Sequence, residues 1–167
     1  MKVAIKDANV LIDLEAVGLL DLWFQLDYET HTTVLIVGQL EAGRHDGVRS
    51  YIEAGFIKVE SCPPAYLEEC MELMSEIGSG PDIADCSVLL LAMKKKAMLL
   101  SGDAPLRRAA KVKQVDVHGT IWIFDRLIEE KLLPSKVAAQ KMRALLDSCR
   151  YLPTDTCEKR IAQWDKG

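Results

Sequence analysis

Apolar residues recur along this chain in two periods, and the alternation between them outlines a fold. Short apolar or alternating runs bounded by turn residues read as strands. Stretches with apolar positions three and four apart read as helices. Lys2-Val3-Ala4-Ile5-Lys6 is the first strand. Val10, Leu11 and Leu14 then recur at helical spacing, with Asn9 placed to cap that helix and Gly18 to end it. Residues 19–24 form another amphipathic turn or helix. The β-branched, apolar run Thr32-Thr33-Val34-Leu35-Ile36 is the second strand candidate. A helix follows from about Val37, passes Glu41 and is interrupted at Gly43. Residues 48–54 suit a short helix, 56–60 alternate like a strand, and Pro63-Pro64 opens a helix to Ile77.

Gly78-Ser79-Gly80-Pro81 is the clearest break, and Pro81 suits the first turn of a helix over 82–96. Residues 97–100 are a strand, Asp103 caps a helix over 104–111, and 115–118 form a further strand stopped by Gly119. Amphipathic helices over 121–132 and 135–146 flank Pro134, and a short helix over 154–164 closes the pattern. No internal repeat or low-complexity linker interrupts it. Strands alternating with helices predict an α/β fold: a three-layer α/β/α sandwich with a mostly parallel central sheet. A length of 167 residues suits a single domain over 1–167, with 134–167 a helical C-terminal extension. Leu145, Leu146, Ile161 and Trp164 are available there to cover the core or to form a homodimer surface.

Composition narrows the class. A hydrophobic content of 49% with 28% charged residues excludes a disordered chain. No apolar stretch is long enough for a bilayer, and the first strand runs straight into Asp7 without a signal-peptide pattern, so a cytoplasmic protein with no membrane partner is expected. The five cysteines (Cys62, Cys70, Cys86, Cys149, Cys157) are odd in number and contain no Cys-x-x-Cys pair. With three scattered histidines they supply no zinc template, and reduced thiols are the simplest account. The net charge of −4 lacks the basic excess of many nucleic-acid binders, but its distribution is uneven. Lys94, Lys95, Lys96, Arg107, Arg108, Lys111 and Lys113 face the single acid Asp103 within residues 94–113, a local +6. That window can hold a phosphate backbone, or its lysines can simply end a helix at its negative pole.

Chemistry concentrates where the chain changes direction. Asp7 and Asp103 each close a short apolar strand, and ligands of open α/β sheets bind outside the carboxyl ends of the strands. Asp7 is free for a ligand if Asn9 caps the helix. Asp103 is a good cap that can still present its other oxygen, with Ser101 placed to orient that carboxylate or a water. Asp85 lies one helical turn beyond Asp82, next to Cys86, Val88 and Leu89, where a buried charge needs a partner. Asp82 is better explained by the helix dipole and stands behind it. Converging carboxylates are a hard-oxygen site for Mg²⁺ or Mn²⁺. Arg107, Arg108 and Lys111 can neutralise flanking phosphates of RNA, or be ordinary helix surface. His118, at a strand end, reads as structural.

These residues carry a family likeness. Asp7-Ala8-Asn9-Val10-Leu11-Ile12, Asp85-Cys86-Ser87-Val88-Leu89-Leu90-Leu91-Ala92, Leu99-Leu100-Ser101-Gly102-Asp103-Ala104-Pro105-Leu106-Arg107 and Val117-His118-Gly119-Thr120-Ile121-Trp122 resemble, in order and spacing, the PIN-domain ribonucleases. That family includes the toxin components of toxin–antitoxin pairs. The resemblance implies Mg²⁺- or Mn²⁺-dependent cleavage of RNA by metal-activated water, with Asp7, Asp85 and Asp103 on the family's acidic positions. It also implies, for toxin-like members, an antitoxin protein over the acidic groove. One position departs: where the family places Glu in a Glu-Leu-x-x-Gly pattern, this chain has Gln39-Leu40-Glu41-Ala42-Gly43. An amide offers a carbonyl oxygen but no charge. Glu41, two residues on, should face elsewhere and be solvated.

Two alternatives stand beside the nuclease. A PIN-like module that binds RNA or a protein partner without cutting is favoured by Gln39. A phosphotransfer domain or phosphatase is disfavoured, because the first strand ends Asp7-Ala8-Asn9 without the paired acids such sites need.

Overall fold

The computed structural model describes residues 2–148 and 152–167, so Met1, Cys149, Arg150 and Tyr151 lie outside the description. One five-stranded sheet has the order β3-β2-β1-β4-β5, and all four pairings are parallel. The strands are β1 (Lys2–Lys6), β2 (Tyr28–Thr33), β3 (Ile57–Glu60), β4 (Met98–Leu100) and β5 (Val117–His118). Between and after them run α1 (Ala8–Ala16), α2 (Leu20–Trp23), α3 (Val34–Ala42), α4 (Arg49–Glu53), α5 (Pro64–Ile77), α6 (Ile83–Lys95), α7 (Ala104–Val112), α8 (Thr120–Glu129), α9 (Ser135–Ser148) and α10 (Thr154–Lys166). The expected α/β architecture is present, and its sheet is wholly parallel.

Contacts through the pleat assign helices to both faces. On one face the Lys6 amine lies 3.5 Å from the centre of the Trp23 ring, and the Trp23 indole donates to Thr30 Oγ1 at 2.8 Å. On the other, Thr33 Oγ1 meets Ser87 Oγ of α6 at 2.7 Å and Glu60 pairs with Lys95 at 3.2 Å. Helix α6 is apolar on most sides because it is enclosed: Cys86, Val88, Leu89 and Ala92 are all buried.

Two local expectations fail. Residues Val34 to Ile36 are not strand. The second strand starts earlier, at Tyr28, and Thr33 caps α3 by accepting from the Ile36 amide at 3.4 Å. Thr30, His31, Thr32 and Thr33 are buried polar residues of β2 that each find a partner: Trp23 for Thr30, the Lys6 carbonyl for Thr32, Ser87 for Thr33, and Glu29 and Glu60 for His31. Tertiary partners thus override the weak strand signal of a polar run. Pro81, in turn, lies outside α6, because Asp82 rather than Pro81 starts that helix.

The segment after Pro134 covers the core. Leu145, Ile161 and Trp164 are buried and Leu146 is half-buried. Trp164 stacks on Phe124 of α8 with ring centres 5.7 Å apart, and Arg160 reaches Asp125 at 2.7 Å. Lys141 donates to the Val17 carbonyl at 2.6 Å, tying α9 to the end of α1.

Candidate functional site

The chain leaves β1 toward β2 and β3 on one side and returns through β4 to β5 on the other, so the order reverses between β1 and β4. That reversal opens a crevice at the carboxyl ends of the two strands. Asp7 follows β1 and Asp103 follows β4, which puts one acid on each lip. A single hydroxyl joins them: Ser101 Oγ donates to Asp7 Oδ2 at 2.8 Å and accepts from the Asp103 amide at 3.1 Å. Ser101 therefore grips Asp7, not the Asp103 carboxylate that the sequence assigned to it.

Asp7 also caps α1, a role the sequence gave to Asn9. Its backbone is extended at φ −78 and ψ 160, and its Oδ1 accepts from the Ala8 amide at 2.7 Å. Asn9 is the second residue of the helix. Capping and ligation are compatible, since a carboxylate has about four lone-pair directions and these two bonds use two.

Asp82 and Asp85 form a capping box at the start of α6. Asp82 Oδ1 accepts from the Asp85 amide at 2.8 Å, and Asp85 Oδ2 accepts from the Asp82 amide at 2.9 Å. This reciprocal pair fixes the first helical residue at Ile83 and leaves Pro81 before the cap. Asp103 caps α7 as expected, accepting from the Leu106 amide at 2.9 Å. Gln39 reaches the same place from α3, its Nε2 donating to Asp82 Oδ2 at 3.4 Å. Glu41 points away as expected: it is exposed and 3.5 Å from Arg49.

The acids feel one another. Burial first, with the charges of Asp7, Asp82 and Asp103 behind it, pushes the Asp85 pKa up to about 7. Burial likewise pushes Asp7 up to about 6, against the hydrogen bonds from Ser101 and Ala8 and with the charges of Asp103 and Asp82 adding to it. Carboxylates this perturbed at a strand switch point mark a site that lacks its countercharge. Among the described residues, no three or more His, Cys, Asp or Glu side chains stand spaced to hold an ion directly. The acids are gathered, but not as a closed cage.

Lys6, one residue before Asp7, is a feature the sequence reading missed. Its amine is fully buried, makes no hydrogen bond among the described residues, and is pushed by burial well below the usual lysine range. Its alternation with Ile5 on β1 was the available signal.

The basic window divides. Lys94 pairs with Glu69 at 2.8 Å, Lys95 with Glu60, and Lys113 with Glu76, so these cations serve the fold. Arg107, Arg108 and Lys111 instead line a cavity of about 580 Å³ that includes Gly102 and Ala104 on either side of Asp103. A larger cavity of about 930 Å³ opens at the opposite ends of the strands, against Lys2, Tyr28 and Met98. Size alone favours it, but the acids and the strand carboxyl ends lie at the smaller one. His118 is structural as expected, stacked on Trp122 at 4.5 Å with Nε2 3.0 Å from Asp116.

A protein-family model described as a PIN domain matches residues 3–166, nearly the whole length and including the helices after Pro134. No curated protein sequence matches this chain.

Proposed function

The chain belongs to the PIN-domain family, and on that basis we propose that it is a Mg²⁺- or Mn²⁺-dependent ribonuclease in which Asp7, Asp85 and Asp103 hold the ion. Family members are usually nucleases and generally use divalent metals. The observation that carries the reading is four carboxylates around one crevice, hydrogen-bonded only to amides, an amide side chain and a hydroxyl among the described residues. The donor set fits: it is all hard oxygen, and Mg²⁺ keeps several waters and takes one or two carboxylates beside substrate phosphates, so it needs no preformed cage.

When bound, the ion supplies positive charge at the phosphate and lowers the pKa of water. The chain supplies position. Ser101 and the Ala8 amide fix Asp7, the capping box fixes Asp85, and the Leu106 amide fixes Asp103. Asp82, Gln39 and Asn9 stand behind these ligands, and Arg107, Arg108 and Lys111 neutralise flanking phosphates. Because Asp7 and Asp85 must lose their protons to bind a cation, ion affinity rises between about pH 6 and 8.

A labelled RNA incubated with the purified protein tests this. Cleavage requires divalent ion, stops in EDTA, and falls at least about 100-fold in Asp85→Asn. Calorimetry shows the ion heat lost in the same variant; unchanged affinity removes Asp85 from the site. Gln39 favours one second reading, a module that binds RNA without cutting it. RNA bound but uncut by both wild type and Gln39→Glu selects that reading.

A further inference from the structure

We propose that the 580 Å³ cavity beside Asp103 is a nucleotide subsite, taking the base and phosphate of an unpaired nucleotide next to the scissile bond, so that the substrate is single-stranded RNA. This rests on the reading of the acids as the cleavage site. Three elements build the cavity, and each brings different chemistry. Helix α7 brings Arg107, Arg108 and Lys111; the start of α8 brings Trp122, on which His118 of β5 lies nearly parallel at 16°; α10 brings Arg160. Cations and an aromatic wall in one hollow are the two things a nucleotide offers partners for, a phosphate and a π-face.

The arrangement is held in place. The Arg107 guanidinium donates through Nη1 to the Ser101 carbonyl at 3.0 Å, and Ser101 is the residue that grips Asp7. A Cβ on Gly119 would come within 2.8 Å of that same Nη1, so glycine there leaves room for the guanidinium. Arg107 is thereby fixed between the acids and the cavity with most of its donors uncommitted. Arg160 is anchored to Asp125, so its charge is largely answered; Arg108 and Lys111 are exposed and are the cations available to a phosphate.

The geometry also selects the strand state. A base can enter a walled cavity only when it is out of a helical stack, and the bases of an A-form duplex are not. The cavity touches the residues flanking Asp103, so the nucleotide it holds neighbours the one at the acids.

The test is fluorescence anisotropy of a labelled eight-nucleotide RNA in EDTA, where cleavage cannot contribute. The single strand binds, and its perfect duplex binds at least about tenfold more weakly. Arg108→Glu and Trp122→Ala each weaken single-strand binding about tenfold or more, while Arg49→Glu, on α4, leaves it unchanged. Arg108 is exposed, so its variant reads out binding even if Trp122→Ala folds poorly. Adenosine 5′-monophosphate competes only at far higher concentration than the strand; equal competition would make the cavity a site for free nucleotide instead and overturn the proposal. It is overturned equally by absent RNA binding, by equal duplex binding, or by full affinity in Arg108→Glu. Asp85→Asn binds RNA at least as tightly as wild type. RNA bound in this way but never cut therefore retains the subsite and rejects the cleavage reading alone.

Discussion

Two groups of carboxylates sit on this sheet, and they are treated oppositely. Glu29 and Glu60 flank the buried ring of His31, whose nitrogens lie 2.5 and 2.8 Å from them, and Lys58 and Lys95 stand outside at 3.0 and 3.2 Å. Hydrogen bonds from His31 and Lys58 hold Glu29 below the usual carboxylate range. For Glu60, burial acts upward, but the bonds from His31 and Lys95 outweigh it and the pKa is lowered. Asp7 and Asp85 have no such cations, and theirs are raised. The same side-chain chemistry thus builds a finished network at β2–β3 and an unfinished one at the β1–β4 switch. A network that stabilises on its own needs no ligand. One that opposes folding persists because something outside the chain completes it.

The contrast is broken most directly at its centre. His31→Ala removes two charge-assisted hydrogen bonds from a buried position and is expected to destabilise the fold by roughly 2–3 kcal/mol. Urea denaturation measures it. A loss below about 0.5 kcal/mol would mean that the β2–β3 network is as dispensable as a surface ion pair.

The opposite sign is expected at Asp7. Its folded pKa of about 6 lies above the unfolded value, so the folded state holds the proton longer. Stability is therefore undiminished at low pH and is lost as pH rises from about 4 through 6. At pH 8 the penalty is about 3 kcal/mol for a two-unit shift. Asp7→Asn removes it but turns an amide toward the Ser101 hydroxyl, which costs about 1 kcal/mol. In EDTA the variant should be about 1–2 kcal/mol more stable than wild type at pH 8, and no more stable below pH 4. Magnesium should stabilise the wild type at pH 8 and not the variant. Melts with and without the ion decide it, and a variant less stable at both pH values contradicts the unfinished-network account.

The two groups also differ in how far the sequence revealed them. Asp7, Asp85 and Asp103 were legible because each interrupts or ends an apolar run, where a charge is conspicuous. The alternation of strands and helices gave the architecture for the same reason. The β2 network was not legible. Its strand is polar throughout, and the partners that satisfy it come from Trp23, Lys6, Ser87 and Glu60, the last two 54 and 29 residues from the groups they satisfy. Asn9 and Pro81 misled because each suits a helix start by type, and the choice among adjacent caps was made by tertiary bonds: Ser101 to Asp7, and Asp85 back to Asp82. Gln39 was read correctly as a neutral residue at a charged place. Its bond to Asp82, from a helix beginning three residues earlier than the pattern suggested, needed the fold.

The finest cut runs through α3, where Gln39 and Glu41 stand two residues apart. Gln39 lies 3.4 Å from Asp82, so Gln39→Glu adds a further carboxylate to the unanswered group. It should lower metal-free stability at pH 8 by roughly 0.5–1 kcal/mol and raise Mg²⁺ affinity several-fold, one added charge serving both effects. Glu41 is 59% exposed and meets Arg49 at only 3.5 Å. Glu41→Gln should change stability by less than about 0.5 kcal/mol and leave Mg²⁺ binding alone. Both variants change one formal charge on the same helix, so a net-charge effect would move them by equal and opposite amounts. Only proximity to Asp82 makes them unequal, and titrating Mg²⁺ into the two side by side reads that inequality directly.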